Sequence, residues 1–220
     1  MQPFDRLFSI LTKPLVIVLY MALVICSMFY FDIPVATYFY NADLRSNFIF
    51  LNYLTKIGLG GIYFPLFFGL ALFFRFIRKD PVWEARFWFL FLCLAIPAII
   101  SLFLKINLGR ARPALLLQDN AHLYGFFGFK TRPLFWSFPS GHVTTIMSVV
   151  LGLGILLPRY FYALILLGLA VGLSRVLLTH HYLSDVLFTS YLLVIEIGLL
   201  LAVLKRKSWL TPAWKPMYNN

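Results

Sequence analysis

Six stretches of this 220-residue chain are almost wholly apolar, and each is close to the ~20 residues that a helix needs to cross the hydrocarbon of a bilayer. They lie at about 14–31, 59–77, 87–104, 142–157, 160–178 and 183–204. In hydrocarbon each backbone N–H and C=O must be satisfied within its own segment, so runs of this length are read as helices. The fourth run is short by itself. Composition agrees: hydrophobic residues make up 61% of the chain and charged residues only 12%, against about 25% charged in a soluble domain. The expected architecture is all-α, one domain over residues 1–220, an integral membrane bundle of six transmembrane helices.

The connections differ in character. Residues 32–58, with Asp32, Pro34, Asp43 and Arg45, read as a surface loop carrying an interfacial helix from Phe48 to Ile57. Residues 78–86 read as a short charged turn, and 105–141 as the longest loop, rich in Gly, Pro and aromatics. If both chain ends face the cytoplasm, that side carries 11 of the 19 Lys and Arg residues, Lys215 among them, and the other side 8. The net charge of +11 comes with too much apolar surface for a nucleic-acid binder; it fits cytoplasmic anchoring together with an anionic substrate. Cys26 and Cys93 both fall in apolar runs and read as buried thiols. No small-residue cleavage site follows the first run, so that run is expected to remain as an anchor.

Polar groups gather at three places: Lys105 to Arg112-Pro113 after the third run, Pro139-Ser140-Gly141-His142 before the fourth, and Ser174-Arg175 to His181 and Asp185 between the fifth and sixth. Because spans alternate in direction, these three places share one membrane face. Charge beside hydrocarbon is costly, which marks the cluster as functional. Its residue types suit phosphoryl transfer. Lys105, Arg112 and Arg175 can neutralise phosphate oxygens, while Ser140 and the Gly141 amide precede a helix start that favours an anion. His181 and Asp185 are four apart, hence on one helical face. A carboxylate so placed can hold one ring nitrogen and leave the other free to attack phosphorus. His142 can protonate a leaving oxygen.

These residues resemble the type 2 phosphatidic acid phosphatase superfamily, whose three motifs are K-x6-R-P, P-S-G-H and S-R-x5-H-x3-D. Lys105 to Pro113, Pro139 to His142 and Ser174 to Asp185 match them in order and in spacing. The resemblance implies a catalytic pocket at the outer face of the bundle. It implies His181 as nucleophile forming a phosphohistidine, Asp185 as its orienting group and His142 as general acid. Lys105, Arg112, Ser140, Gly141 and Arg175 would bind the phosphate. No metal and no cofactor are implied. The expected substrate is an anionic phospholipid or isoprenoid phosphate: phosphatidylglycerol phosphate, phosphatidic acid, undecaprenyl diphosphate or the 1-phosphate of lipid A. Surrounding membrane lipids are the expected partners, nucleic acid is not, and the oligomeric state is left open. The short chain suggests a bacterial inner membrane protein with its site facing the periplasm. Phosphate transfer to another lipid and an anion transporter are the rival readings; a transporter gives no reason for the His181–Asp185 pair beside His142.

Other polar residues have blander readings. His180 beside His181 invites a metal site, which nearby cations oppose. His122 reads as a surface residue. Arg110, Lys130 and Arg132 could bind a second phosphate or a headgroup, or anchor the loop at the interface. The aromatics between Tyr124 and Phe138 form either a lid or an interfacial belt. Glu196, inside the sixth run, reads as hydrogen-bonded to a neighbouring helix, and Gly168 and Gly172 as a site of close helix packing within the bundle.

Overall fold

A computed structural model describes residues 1–117 and 123–214; His122 and Lys215 lie outside the described residues. The described residues form helices and no extended strands. In chain order the α-helices are α1 (Pro3–Leu11), α2 (Pro14–Cys26), α3 (Asp32–Asn41), α4 (Leu44–Asn47), α5 (Ile49–Lys56), α6 (Gly60–Phe73), α7 (Pro81–Leu108), α8 (Pro113–Leu117), α9 (Gly141–Leu156), α10 (Phe161–Leu177) and α11 (Leu183–Arg206). One π-helical turn, Ser27–Phe31, joins α2 to α3, and another, Phe74–Arg78, ends α6. Among the described residues five helical stretches are long and apolar enough to cross a membrane: Pro14–Asn41, Ile49–Arg78, Pro81–Leu108, Pro158–Leu177 and Leu183–Arg206. The remaining apolar helix, α9, has 16 residues.

The helix ends follow local chemistry. Asp80 caps α7 by accepting hydrogen bonds from the amides of Val82 (2.9 Å) and Trp83 (3.2 Å), and Pro81 takes the first helical position, where its missing N–H costs nothing. Gly109, at φ +55°, turns the chain out of α7. A Cβ there would run into the Gly128 carbonyl and lie 2.8 Å from the Lys130 side chain. The loop beyond is strapped to this turn by backbone hydrogen bonds: Lys130 N to Ile106 O (2.8 Å), Phe127 N to Gly109 O (3.1 Å), Arg112 N to Leu134 O (2.9 Å) and Ser137 N to Arg110 O (3.1 Å).

α9 is the axis of the bundle. Every residue from Val143 to Gly152 is buried, and α7, α10 and α11 pack around it. Gly168 and Gly172 of α10 make the closest approach possible: a Cβ at Gly168 would lie 2.8 Å from Met147 Sδ and 2.9 Å from Val150 Cγ2, and one at Gly172 3.2 Å from Val186 Cγ1. Their G-x-x-x-G spacing therefore serves packing inside the bundle. The first long helix is peripheral, with only 11% of its apolar window buried against 44% for α11. It is tied to α11 by Tyr20, whose hydroxyl donates to the Leu187 carbonyl at 3.0 Å.

The sequence reading errs most at residues 32–58. Asp32 opens a helix continuous with the first span, and its side chain is buried instead of lying in a surface loop. The run of apolar residues stops at Asp32, yet the helix does not, because the carboxylate finds buried partners. α7 likewise extends beyond 87–104 at both ends, so that Lys105 lies in its last turn.

Candidate active site

The three polar segments meet at one end of the bundle. Lys105, in the last turn of α7, donates through Nζ to the Pro139 carbonyl and, at 3.4 Å, to that of Trp136. Gly141 stands against it: a Cβ on Gly141 would lie 3.8 Å from Lys105 Nζ. Ser140 is the residue before α9; its amide donates to Thr189 Oγ1 of α11 at 2.9 Å. Arg175 lies in the last turn of α10, and its Nη1 donates to Thr55 Oγ1 of α5 at 2.6 Å.

His181 sits in the turn between α10 and α11 and is 2% exposed. Its Nδ1 lies 2.7 Å from the carbonyl oxygen of Ser137. A carbonyl only accepts, so Nδ1 carries the proton and Nε2 presents its lone pair. Burial, and then the charges of Arg112, Arg175 and Lys105, hold the imidazole well below its ordinary pKa, against a smaller opposing effect of the Ser137 bond. His181 is therefore neutral near pH 7. The same three cations lie within electrostatic reach of His142, in the first turn of α9. His142 is walled by the turn between α5 and α6, where a Cβ on Gly58 would lie 3.0 Å from the His142 Cβ. All eight residues expected from sequence, Lys105, Arg112, Ser140, Gly141, His142, Arg175, His181 and Asp185, thus belong to this end of the bundle.

Three buried polar atoms of this group have no partner among the described residues: Arg112 Nε, Arg175 Nε and Ser140 Oγ. In folded proteins buried donors are seldom left unpaired. Donors converging from three segments, with Lys105 beside them, suit a tetrahedral oxyanion.

Asp185 does not hold the His181 ring directly. Its Oδ2 is 3.7 Å from Nδ1, beyond hydrogen-bonding distance. That oxygen accepts instead from Ser137 Oγ (2.6 Å) and the Tyr182 amide (2.9 Å), while Oδ1 accepts from Arg110 Nη1. The carboxylate thus fixes Ser137, and the Ser137 carbonyl fixes the ring. Arg110 is neither at the interface nor facing a headgroup: it is 1% exposed and also paired with Asp32 at 2.6 Å. Several of the long loop's aromatics pack on one another and on the bundle, as Phe138 does on Phe126 and Phe188. The Lys130 ammonium lies over the Phe135 ring, 5.7 Å from its centre.

His180 Nε2 takes a hydrogen bond from Arg45 Nη2 at 2.9 Å, and burial with Arg175 and Arg45 pushes its pKa down to about 3. Among the described residues no group of three or more His, Cys, Asp or Glu side chains is placed to hold a metal ion. Among the described residues neither oxygen of Glu196 has a hydrogen-bond partner, so the interhelical bond expected for it is not made there. Sequence reasoning missed Thr55, Gly58, Ser137 and Thr189, which carry no motif signal. It also missed the pairing of Asp32 with Arg110, for which a lone carboxylate at the end of an apolar run was the available sign.

The sequence model of the PAP2 superfamily matches residues 86–209. Two lipid A 1-phosphatases, from Rhizobium johnstonii and Rhizobium etli, are each 37% identical to this chain over 102 residues, 45% of its length. That stretch covers 40% and 42% of those proteins, so the similarity reaches less than half of either relative. No solved structure matches the chain.

Proposed function

The chain belongs to the PAP2 superfamily, and from that membership we propose that it is a membrane phosphatase acting on a lipid phosphate or diphosphate, without a metal, through a phosphohistidine. The observation that carries this reading is the neutral, buried His181, its Nδ1–H held by a backbone carbonyl and its ring surrounded by Arg112, Arg175 and Lys105. Such a group is a nucleophile, and its neighbours are counter-ions for the group it attacks.

In the first step His181 Nε2 attacks phosphorus and the bond to the lipid oxygen breaks. His142 gives that oxygen a proton. Lys105, Arg112, Arg175, Ser140 and the amide of Gly141 at the α9 start hold the phosphoryl oxygens. In the second step water attacks the phosphohistidine, His142 takes its proton, and inorganic phosphate leaves. The polypeptide crosses the membrane six times, α9 supplying the fourth crossing, and the site opens at the outer, periplasmic face of a bacterial inner membrane. The names of the Rhizobium relatives favour the 1-phosphate of lipid A as substrate. Phosphatidylglycerol phosphate, phosphatidic acid and undecaprenyl diphosphate share the phosphate chemistry.

Purified protein assayed for phosphate release against these four lipids tests the reading. The intact protein is expected to release phosphate from at least one, and His181→Ala to release none while eluting from size exclusion like the parent. Full turnover by His181→Ala removes the mechanism. Appearance of the phosphate on a second lipid, with none released to water, favours the transferase alternative on the same scaffold.

A further inference from the structure

Arg110 lies between the two motif residues Lys105 and Arg112, yet it faces away from the phosphate. Both terminal nitrogens are committed to the protein. Nη1 donates to Asp185 Oδ1 and, at 2.8 Å, to Ser184 Oγ; Nη2 donates to Asp32 Oδ2 at 2.6 Å and to the Tyr124 hydroxyl at 3.2 Å. Asp32 in turn accepts from the Ser184 amide (2.9 Å) and hydroxyl (2.5 Å). The rings of Tyr182, Phe126 and Tyr124 enclose the guanidinium at 5.0, 5.1 and 5.6 Å. One planar cation thus bridges a carboxylate of the first long helix and a carboxylate of the last, a geometry that suits the guanidinium fork and not an ammonium.

We propose that Arg110 is a positioning residue of the reaction, which holds the His181 ring in its attacking orientation by two routes that converge on Ser137. The side-chain route runs from Nη1 through Asp185 to Ser137 Oγ. The backbone route runs from the Arg110 carbonyl to the Ser137 amide at 3.1 Å. Ser137 then presents its own carbonyl to His181 Nδ1 at 2.7 Å. Asp32 completes the device by anchoring the other half of the fork, so the first long helix, outside all three motifs, takes part in aiming the nucleophile. The proposal rests on His181 being that nucleophile.

The test compares Arg110→Lys, Arg110→Gln and Asp32→Asn with the parent. Rates are expressed per vanadate-binding site, so that misfolded protein is not counted. Arg110→Lys is expected to lower kcat about 10- to 100-fold, the scale of a reacting group displaced by about 1 Å. KM and the inhibition constant for inorganic phosphate should stay within about 2-fold, because Lys105, Arg112 and Arg175 are untouched. Arg110→Gln should be worse than Arg110→Lys, and Asp32→Asn should fall in the same direction by less. Parental kcat in Arg110→Lys overturns the proposal. So does a raised KM with weaker phosphate inhibition and unchanged kcat, which makes Arg110 a substrate ligand. Where the Arg110 variants give no vanadate-binding protein, Asp32→Asn decides by the same criteria. An active His181→Ala defeats the underlying mechanism; an inactive His181→Ala beside a fully active Arg110→Lys defeats this inference alone.

Discussion

The imidazole of His181 is buried among cations and stays neutral, and that has a thermodynamic signature. Its pKa is held well below the ordinary 6.5, and that of His180 is pushed down to about 3. As pH falls below 6.5 the unfolded chain takes up protons at both rings, while the folded chain does not until it reaches the depressed values. Stability must then fall with pH by up to ~1.4 kcal/mol per unit per histidine, discounted for His180 because it is partly exposed. Unfolding in detergent between pH 7.5 and 5 should show this slope. Saturating vanadate should flatten it, since an anion beside the rings raises their pKa and stabilises the fold by binding. A flat stability profile across that window, without vanadate, would contradict the charge arrangement described for His181. Arg112 and Arg175 are legible as site residues from their motifs alone; Ser137 is not, because a carbonyl oxygen belongs to every residue type.

At the scale of elements, α9 and α10 approach as closely as their glycines allow. Gly168→Ala would press a methyl to 2.9 Å from Val150 Cγ2, and a β-branched side chain on a helix has little freedom to retreat. Overpacking of this kind costs about 1–3 kcal/mol. Thermal unfolding of Gly168→Ala should register a loss of that size, with the oligomeric state unchanged. A change of oligomeric state without loss of stability would place the glycine pair at an interface between chains. The element boundaries were readable where an apolar run ended in a short turn, as on either side of α10, but the charged stretch 78–86 reads as a turn although Asp80-Pro81 already opens α7. They were misread at Asp32, where the charge that should end a helix is neutralised by Arg110, 78 residues further along the chain. No local pattern reports such a pairing.

For the molecule as a whole, the peripheral setting of the first long helix sets its dependence on lipid. Residues such as Leu19, Ile25, Phe29 and Tyr30 are exposed on the protein surface, where acyl chains replace a protein core. The number of apolar runs and their alternation of direction suffice to bring the three motifs to one end of the bundle, which is why the convergence of the eight expected residues was legible. What alternation leaves open is lateral order, and with it the contributions of Thr55, Gly58 and Asp32 from segments that carry no motif.

The brevity of α9 has a consequence for the bilayer itself. Sixteen residues rise only about 24 Å, short of the ~30 Å of hydrocarbon in an average membrane. Under the proposed topology, in which α9 supplies the fourth crossing, that shortfall would put the tip bearing Ser140 and His142 several ångströms beneath the headgroup plane, and a phosphate would have to sink to meet it while its lipid tails stay in their leaflet. Vesicles of graded acyl length should reveal this, with turnover rising as the bilayer thins towards the length of α9. Equal rates throughout the series would mean that the leaflet need not deform to deliver its cargo.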